Sequence, residues 1–340
     1  MDQSKIGESI YNSKKDDFPY KDLSMPMEDV NKRFNNLKTY KPTFIKNQKY
    51  FIRNIAGNWY KANHLRYHNT ILKNSKTDYD NYNNLSDYWA DPVRMTYKRY
   101  DRELTPKQYW EQNKEFVITE AILNYGEETP YTLRETIYKL AGECTEFRPT
   151  VLAAFIRMYD AKRVLDPAAG SGSRLIAAMA LGVQYVGVDP NSAIHPIYQE
   201  MIEHFAATDR DSYQMIQSPF EDAILPNQTF DLIMSSLPYF NLEKYSDEDT
   251  QSISRYPTRD SWFNNFLIPT LNKAWDCLEI GGHMCINLND IFKKVSYCKD
   301  MVDIFNREHR DAEFLGVISY SEFKKNIPKS PQPVFCWVKH

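Results

Sequence analysis

Cysteine is sparse and unpatterned in this chain of 340 residues: Cys144, Cys277, Cys285, Cys298 and Cys336 include no C-x-x-C pair. Neither a disulfide framework nor a cysteine zinc site is therefore indicated. No run of about 18 apolar residues occurs, which argues against a membrane-spanning helix. The opening MDQSKIGESIYNSKKDDF lacks the apolar centre of a signal peptide, so an intracellular, non-secreted protein is expected. Internal repeats and low-complexity tracts are missing too, which sets aside repeat arrays.

The most informative absence is of acid. Residues 31 to 77 contain eleven Lys or Arg and no Asp or Glu, so the formal charge of −3 divides into +11 there and −14 over the rest. Phe34, Tyr40, Phe44, Tyr50, Phe51, Trp59, Tyr60 and Tyr67 lie among these cations. Cations neutralise phosphates and flat rings stack on unpaired bases, so the pattern suits nucleic acid. Lys41, Lys46, Lys49, Arg53, Lys61 and Arg66 are the candidate contacts; a solvated basic face over ordinary core aromatics is the simpler alternative. His64 and His68 stand four apart with no third ligand nearby, so no metal site is expected.

The remaining organisation follows from periodicity. Residues 1–30 are polar, and a mobile terminus is expected; 31–144 form a basic, mainly helical extension; 145–340 carry the main domain. Thr105 with Pro106, and Thr129 with Pro130, mark two helix starts, the first with an apolar stripe of Tyr109, Phe116, Val117 and Ile118. Beyond RPTVLAAFIRMYDA, helices alternate with the strand signals RVLD, YVGVD, YQMIQ, FDLIMS, HMCINL and VFCWV. Such alternation predicts an α/β fold with a doubly wound, mostly parallel, Rossmann-like sheet. Trp262, Phe266, Trp275 and Leu278 have core spacing.

Ligands of such sheets bind beyond the carboxyl ends of the strands. There the first strand gives VLDPAAGSG, with Asp166 ahead of Gly170 and Gly172, and the second ends at Asp189. An Asp before the loop is awkward beside phosphate, and the order is not G-x-G-x-x-G, which disfavours a nicotinamide dinucleotide. A carboxylate at Asp189 can accept two ribose hydroxyls. A neutral or cationic nucleoside fits better. The strand FDLIMS ends in Ser236, Leu237, Pro238 and Tyr239.

These motifs resemble the class I S-adenosylmethionine-dependent methyltransferases, and among them the amino-methyltransferases of nucleic-acid bases; the resemblance covers about residues 145 to 340. It implies S-adenosylmethionine as cofactor, with DPAAGSG (Asp166, Ala168, Gly170, Gly172) around its methionine end, Asp189 on the ribose, and Glu221 or Asp222 at the adenine. Phe147, Pro149 and Thr150 take the place of the family's cofactor-facing Phe and Pro segment. Ser236 to Tyr239 match a catalytic motif of Asp, Asn or Ser, then Pro-Pro, then an aromatic, with Leu237 departing from it. The resemblance implies that Ser236 Oγ and the Leu237 carbonyl hold the hydrogens of an amino group while Tyr239 stacks on an extruded base. The expected reaction is methylation of DNA at adenine N6 or cytosine N4. RNA methylation and a catalytically silent Rossmann-like binding module are the alternatives.

Overall fold

The computed structural model describes residues 17–20, 23, 25–46, 64–67, 70–74, 82–290, 297–324 and 327–340. Its centre is a sheet of nine strands in the order β1-β2-β10-β11-β9-β7-β4-β5-β6. The ranges are Phe44–Lys46 (β1), Thr70–Asn74 (β2), Arg163–Asp166 (β4), Gln184–Asp189 (β5), Tyr213–Gln217 (β6), Phe230–Ser236 (β7), Leu278–Asn287 (β9), Ala312–Lys324 (β10) and Ile327–Lys339 (β11). A two-residue pair, β3 (Lys98–Arg99) with β8 (Glu243–Lys244), stands apart. β4, β5, β6, β7 and β9 run parallel, and β11 is antiparallel to both of its neighbours, β9 and β10.

Period-two alternation assigns the strand side chains to two cores. Val164, Leu232, Met234, Cys285 and Cys336 face one layer, while Leu165, Ile233, Met284, Ile286 and Trp337 face the other. On the first side lie helices α1 (Met27–Lys38), α2 (Leu85–Arg94), α5 (Pro149–Tyr159), α6 (Ser173–Leu181) and α7 (His195–Phe205). The second side is covered by the run from Arg259 to Asp276 and by Tyr297–Glu308, and there Trp262, Phe266, Trp275 and Leu278 are buried as expected. β9 begins earlier than HMCINL suggested. Its Gly281, at φ 82, sits where the register against β7 jumps from Leu278 to His283, so it serves a bulge.

The N-terminal region departs from the expected division. Helix α1 starts at Met27, inside the stretch expected to be mobile, and Phe18 and Tyr20 are buried against the hairpin of α3 (Pro106–Tyr125) and α4 (Pro130–Ala141). Phe34, Tyr40 and Tyr67 are buried in the main core, and Phe34 stacks on Phe205 at 4.1 Å. Their ring faces are thus taken by packing and are not platforms for bases. Tyr50, Phe51, Trp59 and Tyr60 lie outside the described residues. Both threonine starts form capping boxes, with Gln108 and Thr132 as reciprocal partners. The stripe of α3 differs, however: Trp110, Val117 and Ala121 are buried while Phe116 is exposed. Asn113, at φ −131, breaks the helix geometry and resets the period.

Candidate active site

A cleft open to solvent lies beyond the carboxyl ends of β4, β5, β6 and β7. This is where an open α/β sheet receives ligands. Its floor is the loop after β4. Gly170, at φ 63, lines the cleft, and so does Ala168. Gly172 does not. It caps α6 at φ 86, and a Cβ there would meet Met201 Sδ at 2.7 Å, so glycine is required by both conformation and packing.

Asp166 is fully enclosed and is not among the residues that line the cleft. Its Oδ2 accepts from Arg174 Nε and the Tyr185 hydroxyl, both at 2.5 Å, and its Oδ1 accepts from Ser235 Oγ at 2.8 Å. Ser235 Oγ accepts in turn from the Ala168 N–H at 3.1 Å. The carboxylate therefore ties the loop to β7 from beneath. Removing one partner of such a buried pair typically costs about 3–5 kcal/mol. Arg174 does reach the cleft, lying over the Phe147 ring at 4.6 Å.

Asp189 lines the cleft beside the loop, half-buried. Its two oxygens accept the N–H groups of Gly170 and Asn191, each at 2.9 Å, which leaves each oxygen a lone pair for a further donor. Burial pushes its carboxyl up to about 6, against the opposing pull of those two N–H groups. Glu221 also lines the cleft; Asp222 turns outward, pairing with Arg255 at 2.7 Å. A paired acceptor site at Asp189, a second carboxylate and the apolar Pro219 and Phe220 together fit a neutral or cationic nucleoside.

The motif after β7 is organised by Asn287, at the end of β9. Asn287 Oδ1 accepts from Ser236 Oγ at 3.0 Å, from the Tyr239 hydroxyl at 2.8 Å and from the Tyr320 hydroxyl at 3.3 Å. Its Nδ2 donates to the Pro333 carbonyl at 2.7 Å, which fixes the amide orientation, because a carbonyl can only accept. Ser236 and Pro238 line the cleft. Tyr239 is not among the lining residues; its hydroxyl is committed to Asn287, and Tyr245, after the motif, is among the rings that do line the cleft. Leu237 is 1% exposed, packs into the core, and donates its N–H to the Asn287 carbonyl at 3.3 Å. The family's proline would lack that donor, so leucine performs two structural tasks here.

Phe147 lines the cleft, whereas Pro149 opens α5 and Thr150 is buried, donating from Oγ1 to Asn83 Oδ1 at 2.8 Å. The upper wall includes Arg94, whose charge burial opposes but Asp87, Asp91 and Glu146 uphold. Lys41, Lys46 and Arg66 are exposed; Lys49, Arg53 and Lys61 lie outside the described residues, as does His68. Lys46 shares a row with Ser236 through Thr70, Ile318, Val334 and Asn287. Five strand steps of about 4.8 Å place it roughly 24 Å from the motif. Asn287 could have been found by extending the strand-end rule to HMCINL; Ser235, Arg174 and Tyr245 carry no comparable signal.

The mostly parallel sheet, with β11 reversed beside β9 and with the glycine loop and the acid at the carboxyl ends of β4 and β5, is the Rossmann-like α/β fold that the sequence led us to expect. No protein-family model matches the chain. A release factor glutamine methyltransferase of Rhodopirellula baltica is 27% identical over 186 residues, 53% of this chain and 58% of that protein. The match thus spans little more than half of that curated relative. Among solved structures, the chain is similar to an rRNA methylase from Streptococcus thermophilus (TM-score 0.37, 13% identity, 58% of this chain and 99% of that one). It is also similar to the glycopeptide N-methyltransferase MtfA with sinefungin (TM-score 0.40, 10% identity, 56% and 86%). Among the described residues, no helix is long and apolar enough to cross a membrane.

Proposed function

We propose that this protein transfers a methyl group from S-adenosylmethionine to a planar amino nitrogen. The cofactor supplies an electrophilic methyl group on its sulfonium. Asp189 accepts the ribose hydroxyls on its two free lone pairs, Glu221 faces the adenine amino group, and the loop from Ala168 to Gly170 lies along the methionine end.

The observation that carries the reading is the donation from Ser236 to Asn287. Once its hydrogen is committed there, Ser236 Oγ has only lone pairs to offer the cleft. It becomes an acceptor for one N–H of an amino group, with the Leu237 carbonyl as a second. Two acceptors draw a conjugated nitrogen toward tetrahedral geometry and aim its lone pair at the methyl carbon. Holding both reactants in that alignment supplies much of the rate. Pro238 disfavours the α region for the residue before it, which holds Leu237 extended.

The substrate class proposed first is an exocyclic base amino group, adenine N6 or cytosine N4, in DNA or in unpaired RNA, with Lys41, Lys46 and Arg66 contributing phosphate contacts. A side-chain carboxamide is the second reading, favoured by the likeness to a glutamine methyltransferase. Both present a planar –NH₂. Incubation with methyl-labelled cofactor and DNA, RNA or a protein fraction in parallel, followed by mass spectrometry of the digested products, separates them. Label on a base amino group in the DNA or RNA arm supports the first reading; label confined to a carboxamide replaces it with the second.

A further inference from the structure

Among the described residues, five rings line the cleft: Tyr97, Phe147, Phe220, Tyr245 and Phe266. Four of these are buried. The Arg174 guanidinium lies over Phe147 at 4.6 Å, and Tyr320 meets the same ring at 5.7 Å. Lys273 Nζ lies over Phe220 at 5.3 Å, and Phe266 packs on Trp262 at 5.9 Å. Tyr245 is half-buried, so of the five it keeps the most surface. Tyr239, which the motif marks for stacking, instead packs its side chain against the second core and commits its hydroxyl to Asn287.

Tyr245 is held in place from several sides. It follows β8, which the register of Lys98 with Lys244 and Arg99 with Glu243 pins to β3. Its hydroxyl donates to Glu243 Oε2 at 2.7 Å, and its carbonyl accepts from Asn191 Nδ2 at 3.3 Å. Tyr97 meets it at 5.3 Å and 85°, a perpendicular contact that covers no more than one face of the ring. Tyr245 and Asn191 also line a second groove, walled by the start of α3 at Thr105, Lys107 and Gln108. The ring therefore stands at the border between the cleft that holds Asp189 and Ser236 and a groove formed by the N-terminal extension. A ring fixed in advance costs little further ordering when a partner arrives.

We propose that Tyr245, and not Tyr239, presents the ring face against which the planar group carrying the amino nitrogen lies, which makes Tyr245 the residue that orients the substrate. This rests on the reading of methyl transfer to a planar nitrogen given above. When such a nitrogen is drawn toward tetrahedral geometry, its lone pair emerges from one face of the plane. A ring against the opposite face fixes the plane and leaves the lone pair to the methyl carbon. Stacking of this kind tolerates any flat partner, because each has a π-face.

The test is single-turnover methyl transfer by the full chain at saturating cofactor, with rising concentrations of whichever of DNA, RNA or protein accepts label. Tyr245→Leu and Tyr245→Met should each raise the half-saturating substrate concentration by about tenfold, the loss expected for one stacked ring. Both should keep the parent's melting temperature and its affinity for S-adenosylhomocysteine. Tyr245→Phe, which keeps the ring and drops the hydroxyl, should recover most of that loss. If both aliphatic variants stay within about twofold of the parent, or if Tyr245→Phe loses as much as they do, the ring does not orient the substrate although methyl transfer stands. An equal fall in S-adenosylhomocysteine affinity would make Tyr245 part of the cofactor's packing and overturn the proposal likewise. A parent that labels none of the three substrates removes the methyl-transfer reading, and this inference with it.

Discussion

Protonation of Asp189 should control cofactor affinity. Its carboxyl is raised to about 6 by burial, with the Gly170 and Asn191 N–H groups opposing the shift. Ribose hydroxyls donate to the ionised form, so binding draws on the ionised fraction, about nine-tenths at pH 7 and about one-tenth at pH 5. Affinity for S-adenosylhomocysteine should therefore fall by roughly tenfold between those values. Asp189→Asn should bind about tenfold or more weakly at pH 7 and lose most of the dependence. His195, whose Nε2 lies 2.8 Å from the Asp189 carbonyl, titrates below the usual histidine range because of burial. Its contribution persists in the asparagine variant, so the difference between the two curves isolates the carboxylate. The sign extends to stability. A carboxyl raised above its unfolded value weakens the unliganded fold as pH rises from about 4 to about 6, so Asp189→Asn should melt higher than the parent at pH 7 and no higher at pH 4. Calorimetric titration across pH 5 to 7, with thermal melts alongside, measures both. A flat affinity profile in the parent, or an equal slope in Asp189→Asn, would refute the assignment.

Three further outcomes follow from the motif and the basic segment. Asn287→Ala should slow methyl transfer by about tenfold in the parent and add little in a Ser236→Ala background, because it acts by turning the serine hydroxyl; additive losses in that double-mutant cycle would show an unrelated role. Leu237→Pro removes the N–H bonded to Asn287 and the packing of a buried side chain, so urea unfolding should show a loss of about 2–4 kcal/mol; an unmoved midpoint would mean that the leucine is dispensable. Lys41→Glu with Lys46→Glu should weaken nucleic-acid binding across sequences and flatten its salt dependence; unchanged values would leave these cations as solvated surface.

The sequence made the parallel half of the sheet legible because each of its strands is a short apolar run between helix signals. Strands β1, β2 and β10 were not legible: they join the sheet through pairings distant in sequence, which no local periodicity reports. Charge patterning exposed the cations of the basic segment but not the burial of Phe34, Tyr40 and Tyr67, since a ring between lysines reads alike whether it faces solvent or core. At the site, Asp189 and Glu221 line the cleft beyond the ends of β5 and β6. Asp166 and Tyr239 fell beside the cleft instead of lining it, one ion-paired beneath the loop and the other hydrogen-bonded to Asn287. Motif spacing locates a residue along the chain, whereas the direction of its side chain depends on partners such as Arg174 and Asn287 that lie far away in sequence.

The central claim, transfer of a methyl group to a planar amino nitrogen held by Ser236, is tested most directly by single-turnover reactions with methyl-labelled S-adenosylmethionine. Parent and Ser236→Ala would be compared on whichever of DNA, RNA or protein accepts label. The account predicts label on nitrogen, with Ser236→Ala slower by about tenfold or more while S-adenosylhomocysteine affinity is unchanged, since one transition-state acceptor is lost. Label on carbon, oxygen or sulfur, or a parent that binds the cofactor and all three substrates yet transfers nothing, would contradict it.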